Sequence, residues 1–151
     1  MNKKIIICDL DGTVAKMGDR FKHIEKNPKD WDAFYADDFN DEPIFPVIKT
    51  IKSLYKSGYT IVFLTGRSEL SRQKTESWLK KYFDIGCYLL MRPLNQKGKD
   101  VDVKINTLND FYNMSGYNKD DILCIFEDRS RMVNKYRELG YTVFQVAAGN
   151  Y

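Results

Sequence analysis

The chain has 151 residues, 43% of them hydrophobic, and a formal net charge of +3. This length supports one domain with its own core and is short for two. The small charge excess does not by itself argue for a nucleic-acid or membrane partner, so the charge must be read locally. His23 is the only histidine, which excludes a metal site built from several histidines.

The three cysteines, Cys8, Cys87 and Cys124, lie in apolar, strand-like runs. An odd number of cysteines in such runs is typical of buried, reduced thiols and not of a disulfide framework. The amino terminus runs directly into an apolar strand at residues 5–7 with no signal-peptide segment, and no stretch approaches membrane-spanning length. We therefore expect a cytoplasmic protein with no membrane partner.

The apolar run at residues 5–8 ends abruptly at Asp9 and Asp11. A short β-branched run predicts a central parallel strand, and open α/β sheets place their chemistry at the carboxyl ends of such strands. Two neighbouring carboxylates suit Mg²⁺, although aspartates also end many strands without binding anything. A helix-loop-helix calcium loop is excluded because Val14 and Arg20 occupy the positions of its glycine and its glutamate.

An irregular, aromatic segment at residues 14–43 follows this strand, and it predicts an insertion with a short helix near residues 30–38. Strands and helices then alternate to the end of the chain. The predicted strands are 59–64, 87–91, 122–126 and 141–146, and the predicted helices are 46–57, one after Ser68, one beginning at Asp100, and 131–139. Such alternation predicts an α/β fold with a single doubly wound, parallel, five-stranded sheet.

Helical spacing of apolar residues predicts which helix faces cover the sheet. In the helix after Ser68 the predicted covering residues are Leu70, Trp78, Leu79 and Tyr82. In the helix from Asp100 they are Val101, Ile105, Leu108 and Tyr112. Lys104 is then expected at the edge of the buried stripe, near the sheet.

Polar residues follow several predicted strands, and parallel topology brings these strand ends to one edge of the sheet. The residues are Asp9, Asp11, Thr65, Arg67 and Asp128, with Lys104 reaching in from its helix. Each alone has an ordinary structural explanation, but together they provide carboxylates for a divalent ion, a hydroxyl donor and a lysine. Such a set fits a phosphoryl group, whose negative charge needs cations and hydrogen-bond donors.

This constellation resembles the haloacid dehalogenase (HAD) superfamily of phosphotransferases. The matching positions are residues 9–13 for the first motif, Thr65 for the second, Lys104 for the third and Glu127-Asp128 for the fourth. The chain is still more similar to the phosphatase domain of polynucleotide kinase 3′-phosphatases, through residues 9–16, 65–67, 92–104 and 145–151. No Gly-x-x-x-x-Gly-Lys-Ser/Thr motif is present, so no kinase domain is expected in this chain. Residues 14–43 fall where the superfamily places a small cap.

The resemblance implies roles for these residues. Asp9 is the expected nucleophile and Asp11 the expected general acid, with Thr65 and Lys104 holding the transferring phosphoryl group. Mg²⁺ is expected on Asp9, Asp128 and, through its backbone carbonyl, Asp11. The expected substrate-binding residues are Thr65, Gly66, Arg67, Arg92, Lys104 and Arg129. Glu127 is expected to support the metal site and not to bind the ion.

Three functions remain open from the sequence. The first is a magnesium-dependent phosphomonoesterase that removes 3′-phosphates from polynucleotide ends or nucleotides. The second is a mononucleotidase or a phosphatase of a small metabolite. The third is a receiver-like or silent phosphate-binding module, which is disfavoured because a receiver carries its phosphorylated aspartate after the third strand, where this chain has Met91 and Arg92.

Overall fold

The computed structural model describes residues 4–36 and 41–151, and its centre is a five-stranded sheet. The strands are β1 (Ile5–Cys8), β2 (Thr60–Ser68), β3 (Cys87–Arg92), β4 (Ile122–Arg129) and β5 (Val143–Gly149). Their order across the sheet is β3-β2-β1-β4-β5, and every neighbouring pair is parallel. The predicted α/β fold with a doubly wound parallel sheet is confirmed.

The helices connect successive strands and also build the segment that follows β1. They are α1 (Lys22–Glu25), α2 (Trp31–Ala36), α3 (Phe45–Lys56), α4 (Arg72–Tyr82), α5 (Asp100–Ser115) and α6 (Ser130–Glu138). Three short 3₁₀ turns, at Gly18–Phe21, Glu69–Ser71 and Lys119–Asp121, precede α1, α4 and β4. In the part of the chain that the structure describes, no helix is long and apolar enough to cross a membrane.

The sheet has a hydrophobic core on each face, because successive side chains of a strand point to opposite sides. In β1, Ile6 and Cys8 pack with α3 and α4, whereas Ile5 and Ile7 pack with α5 and α6. All four are buried, and burying an isoleucine side chain contributes roughly 1.5–3 kcal/mol. This explains why β1 is apolar throughout and becomes polar only at Asp9.

Three sequence predictions about burial were wrong. Leu70 does not cover the sheet: it lies in the 3₁₀ turn before α4 and is 85% exposed. Cys87 is exposed, because it begins β3 at the edge of the sheet, whereas Cys8 and Cys124 are buried as expected. Lys104 lies within the buried face of α5 and not at its edge.

The face that α5 buries is rotated from the predicted stripe for a physical reason. Its buried residues are Val103, Lys104, Thr107, Leu108 and Phe111, whereas Val101, Ile105 and Tyr112 are only half-buried. A hydrophobic pattern cannot anticipate a buried lysine, since burial of its charge depends on carboxylates supplied by distant strands. Strand β2 also extends four residues beyond its predicted end, and strand β4 three, into the polar positions that follow their apolar runs.

Candidate active site

A cluster of three carboxylates and one lysine lies where β1 and β4 end. The Lys104 ammonium donates to Asp9 Oδ1 at 2.7 Å and to Glu127 Oε2 at 3.0 Å. The Thr13 hydroxyl lies 3.1 Å from both Asp9 Oδ2 and Asp128 Oδ1, so it bridges the two aspartates. One ammonium therefore faces three carboxylates, and the cluster has an excess of negative charge.

The positions of these side chains follow from the sheet and one tight turn. Asp9 comes directly after β1, and its backbone N–H bonds to the carbonyl of Phe126 in the neighbouring strand β4. Gly12 adopts a φ of +83°, which few residues other than glycine tolerate. A Cβ there would also collide with the carboxylate of Asp128, so only glycine lets this turn bring Thr13 between the two aspartates.

Burial and mutual repulsion raise the pKa of both aspartates. For Asp9, burial and the charge of Glu127 outweigh the attraction of Lys104 and raise the pKa to about 7. For Asp128, burial and the charge of Asp9 raise the pKa to about 6. Burial would lower the pKa of Lys104, but Asp9 and Glu127 raise it well above its ordinary value, so the lysine stays charged. The protein therefore holds carboxylates at a place where their negative charge is not fully compensated.

This donor set fits a hard divalent cation. Asp9, Glu127 and Asp128 can each place one oxygen so that all three lie within 4.8 Å of one another. Glu127 is the least available, since Oε1 accepts from the backbone N–H groups of Asp128 and Arg129 and Oε2 accepts from Lys104. Asp9 and Asp128 remain as the candidate ligands, and Mg²⁺ commonly uses only one or two carboxylates together with water and substrate oxygens.

The carboxylate of Asp11 lies in a separate network of buried ion pairs. Arg67 donates to both of its oxygens, at 2.9 and 2.6 Å, and Arg20 donates to Oδ1 at 2.9 Å. Both arginines also bind the carboxylate of Asp41. Burial opposes ionisation of Asp11, but the charges and hydrogen bonds of Arg67 and Arg20 lower its pKa to about 2. In this arrangement Asp11 is a carboxylate without a proton to donate.

A third network surrounds Asp100, the first residue of α5. Arg129 donates to its Oδ2 at 3.0 Å, and Arg92 donates to its Oδ1 at 3.3 Å. Gly66 passes close beside it, and a Cβ on that residue would collide with Oδ1 of Asp100. Two guanidinium groups share one carboxylate here, so this network has an excess of positive charge. Guanidinium groups with uncompensated positive charge bind phosphate oxygens well.

Tyr151 connects the metal cluster to the Asp100 network. Its hydroxyl donates to Asp128 Oδ2 at 2.7 Å, and its backbone carbonyl accepts from Nε of Arg129 at 3.0 Å. Its ring packs edge-on against Phe21, with the ring centroids 5.5 Å apart. The hydroxyl thus fixes one oxygen of a candidate metal ligand and leaves the other oxygen facing Thr13.

The structure brings six of the sequence-predicted metal-binding, catalytic and substrate-binding residues to one pocket, whereas Asp128, Arg67 and Arg92 lie outside its lining. Its lining includes Asp9, Asp11, Thr65, Gly66, Lys104 and Arg129. Thr65 is buried, and its hydroxyl oxygen accepts from the backbone N–H of Arg67. Arg67 is 1% exposed and turned toward Asp11 and Asp41, so it holds the acid network and does not line this pocket. Arg92 lies just outside the pocket, where Nε donates to the carbonyl of Gly66.

Sequence reasoning assigned no role to several residues that build the site. They are Thr13, Arg20, Asp41, Asp100 and Tyr151, together with the pocket-lining residue Met17. Trp31, Phe34 and Tyr35 also line the pocket, and the sequence suggested them only as insertion aromatics whose rings could stack bases. Thr13 could have been found, since it belongs to the first motif and follows the aspartates directly. The pairing of Arg20 with Asp41 carries no local signal, because 21 positions separate the two residues.

Comparison with known proteins agrees with this geometry. The family model described as the Polynucleotide kinase PNKP phosphatase domain matches residues 3–151. A protein of Autographa californica nuclear polyhedrosis virus, named "Putative bifunctional polynucleotide kinase/RNA ligase", is 32% identical over 145 residues. That match covers 95% of this chain and 19% of the viral protein.

Solved structures share the fold. A chain in the structure of the Pnkp1/Rnl/Hen1 RNA repair complex is 29% identical, with a TM-score of 0.76 over 99% of this chain and 44% of that chain. A structure named "Putative Phosphatase from Clostridium difficile" is 19% identical, with a TM-score of 0.66 over 96% of this chain and 85% of that chain, and shows the fold alone. This chain thus spans less than half the length of the first two relatives. Because the family model matches nearly the whole chain, the protein belongs to the family of polynucleotide kinase PNKP phosphatase domains.

Proposed function

We propose that this chain is a magnesium-dependent phosphomonoesterase that removes 3′-phosphates from polynucleotide ends or nucleotides. The observation that carries the proposal is the carboxylate of Asp9, which lies in the pocket with Lys104 bound to one oxygen at 2.7 Å. Lys104 favours the ionised form of that carboxylate, against the burial and the charge of Glu127 that raise its pKa to about 7, and would also attract the phosphoryl oxygens of a substrate. An ionised carboxylate beside a cation is a suitable nucleophile for phosphorus.

The reaction is proposed to proceed in two displacements at phosphorus. An Asp9 oxygen forms a bond to phosphorus while the bond from phosphorus to the leaving oxygen breaks, and that oxygen takes a proton from Asp11. Water then attacks the aspartyl-phosphate, gives a proton back to Asp11 and releases inorganic phosphate. A bound Mg²⁺, held by Asp9 and Asp128, would reduce the repulsion between the carboxylates and the phosphate.

Asp11 must acquire a proton before it can act as an acid. Its carboxylate is bound by Arg20 and Arg67, which favour the ionised form. We therefore propose that substrate binding draws Asp11 away from at least one arginine, since loss of such a contact raises the pKa of a carboxyl group. Thr65 and Lys104 are proposed to hold the phosphoryl oxygens, because both are buried and both line the pocket.

A polymer end is the proposed substrate, because the pocket is not closed. Side chains of the segment after β1, among them Met17, Trp31 and Phe34, line it on one side. On another side the pocket continues into a groove that shares Trp31 and Arg129 with it. The relatives named for RNA repair and RNA ligation make RNA the first polymer to test.

The test measures release of inorganic phosphate from a panel of phosphate esters. The panel contains 3′-phosphorylated RNA and DNA oligonucleotides, 3′- and 5′-mononucleotides and sugar phosphates, with Mg²⁺ and with a chelator. We expect the 3′-phosphorylated oligonucleotides to have the highest kcat/KM, and Asp9→Asn to remove turnover of every ester. A preference for mononucleotides or sugar phosphates would replace the proposal by the second enzymatic function. Normal turnover by a folded Asp9→Asn protein would refute Asp9 as the nucleophile.

A further inference from the structure

A groove opens from the active-site pocket along the surface. The pocket and the groove have four lining residues in common, Trp31, Tyr35, Asp100 and Arg129. The other walls of the groove include most of the loop between β3 and α5, as well as Lys29 and Arg131. We call this surface the basic groove. A polymer whose end occupies the pocket would have to leave it by an opening of this kind.

Positive charge predominates in the basic groove. Among residues 4–36 and 41–151, its cationic lining residues are Lys29, Arg92, Lys97, Lys99, Arg129 and Arg131, and its carboxylates are Asp32 and Asp100. Six positive charges face two negative charges, which leaves an excess of four. Asp100 is already bound by Arg92 and Arg129, so it does not compensate the remaining lysines and arginines. The whole chain has a formal net charge of only +3, so this excess is concentrated locally.

Two cations lie beside Trp31 where the groove meets the pocket, and a third, Arg131, is near enough to Lys29 to act on its charge. The Arg129 guanidinium lies 5.7 Å from the indole centroid, and the Lys29 ammonium lies 5.8 Å from it. Burial and the charges of Arg129 and Arg131 lower the pKa of Lys29. Within residues 4–36 and 41–151, Lys29 and Arg131 form no ion pair with a carboxylate. Like charges held together with no counter-ion among the described residues indicate a place where an anion binds.

We propose that the basic groove holds the nucleotides that precede the terminal phosphate of a single-stranded polynucleotide. The terminal base packs against Trp31, and the next backbone phosphate lies between Lys29 and Arg131. This proposal rests on the proposed function, because it takes the pocket as the site of the 3′-phosphate. It adds residues from the segment after β1 and from α6, none of which the superfamily motifs include.

An aromatic ring among cations favours a nucleic acid over an acidic peptide. Trp31 is half-buried and lines both the pocket and the groove, so it can contact a base while the attached phosphate occupies the pocket. Bases stack on such side chains whatever their sequence, and lysines and arginines follow the backbone. An acidic peptide would use the cations but would offer no base to the indole, which within the protein already packs against Tyr35 and Phe34.

The first experiment measures binding without catalysis. The ligand is a fluorescent single-stranded RNA with a 3′-hydroxyl end, which has no phosphate to hydrolyse, and anisotropy gives its Kd across a salt series. The variant is Lys29→Gln/Arg131→Gln. The control is Lys56→Gln/Lys80→Gln, which removes two exposed lysines near the last turns of α3 and α4.

The two double variants lose the same charge, so only position distinguishes them. We expect the groove variant to bind about tenfold more weakly at low salt, with a slope of log K against log salt shallower by about 0.7 for the lost phosphate contact. We expect the control to resemble the wild type. Hydrolysis of p-nitrophenyl phosphate should be unchanged in the groove variant, because neither residue lines the pocket.

A second pair of variants tests the base contact. Trp31→Phe retains a ring and Trp31→Leu does not, and thermal melting checks that both remain folded. We expect Trp31→Leu to weaken RNA binding about tenfold and Trp31→Phe to weaken it less. Removing the base of the terminal nucleotide should weaken wild-type binding by a similar factor and should have little further effect on Trp31→Leu.

Each result decides the proposal. Equal Kd values and salt slopes for the groove variant and the control would overturn it, as would wild-type binding to polyglutamate as tight as to RNA. If the wild type binds RNA through these residues but does not hydrolyse a 3′-phosphate, the groove is retained and the proposed function fails. If it hydrolyses 3′-phosphorylated oligonucleotides and the groove variant binds and turns them over normally, the function is retained and the groove is refuted.

Discussion

Replacing Asp128 with asparagine should stabilise the metal-free protein at neutral pH. Asp128 is 2% exposed, and its pKa is raised from 3.8 to about 6 by burial and by the charge of Asp9. An asparagine retains the shape and can still accept from Tyr151 and donate to the hydroxyl oxygen of Thr13. The substitution therefore removes an unfavourable charge with little loss of hydrogen bonding.

The magnitude follows from proton linkage. Because the pKa of Asp128 is higher in the folded state, that state binds the proton more tightly, and the carboxyl group destabilises the fold increasingly as the pH rises from 3.8 through about 6. Above that window the whole difference applies, which is about 3 kcal/mol at 1.36 kcal/mol for each pKa unit. At pH 5 about half of it applies. For a chain of this length the gain at pH 8 corresponds to a rise in Tm of about 5–10 °C.

Urea unfolding with a chelator, at pH 8 and pH 5, measures the effect. We expect Asp128→Asn to exceed the wild type by up to about 3 kcal/mol at pH 8 and by about 1.5 kcal/mol at pH 5. Asp110→Asn, an exposed carboxylate in the middle of α5, is the matched control and should change stability by less than about 0.5 kcal/mol. Added Mg²⁺ should stabilise the wild type and should have less effect on Asp128→Asn.

Two results would refute this reasoning about Asp128. One is a variant less stable than the wild type at pH 8 without metal, since the ionised carboxylate would then stabilise the fold. The other is a gain that is equal at pH 5 and pH 8, because a gain that does not depend on pH cannot come from ionisation.

Three further substitutions and conditions test other parts of the site. Lys104→Met should lower kcat by at least about a thousandfold and destabilise the fold by about 3–5 kcal/mol, because the buried carboxylates of Asp9 and Glu127 lose the ammonium that binds them. Steady-state kinetics measure the first effect and urea unfolding measures the second. Gly66→Ala should cost about 1–3 kcal/mol and increase KM more than Gly86→Ala, since a Cβ at Gly66 collides with the carboxylate of Asp100 whereas one at Gly86 meets no atom closer than 3.6 Å. Because the pKa of Asp11 is lowered to about 2, its ionised carboxylate should stabilise the fold by about 2 kcal/mol above pH 4. Unfolding measured across an acid pH series should show this contribution disappear as the pH falls toward 2. The stability of Asp11→Asn should not show this loss.

The sequence was sufficient to predict the position of a site residue where a local pattern of residues decides that position. The β-branched run before Asp9 could only form a buried strand, and a parallel sheet brings its end beside the end of β4, so Asp9 and Asp128 were predicted as neighbours. They lie on opposite sides of the hydroxyl of Thr13, at 3.1 Å from each. The family model matches residues 3–151, a range that includes both of these strand ends.

Sequence reasoning did not predict the position of a side chain where that position depends on charged residues in distant helices and strands. Lys104 was expected at the edge of a stripe, but Asp9 and Glu127 make its burial favourable, so α5 turns it inward. Arg20 and Asp41 lie in a segment without hydrophobic periodicity, and only the folded chain brings both to Asp11. Leu70 was placed on the sheet because it fits a helical spacing, yet α4 begins two residues later.

Ion pairs attach the segment after β1 to the sheet, and this attachment restricts how a substrate can enter the pocket. Arg20 is 3% exposed and binds the carboxylates of Asp11 and Asp41, while its guanidinium stacks on Phe34 at 4.4 Å. Swinging the segment outward would break the contact between Arg20 and Asp11, at a cost of about 1.5–3 kcal/mol, while Arg67 still binds Asp11 and Arg20 still binds Asp41. Such an open state would make up less than about 10% of the molecules. A polynucleotide end, the proposed substrate, would therefore mostly enter lengthwise along the surface and not by the lifting of a lid, and salt that screens the cations there should slow its entry.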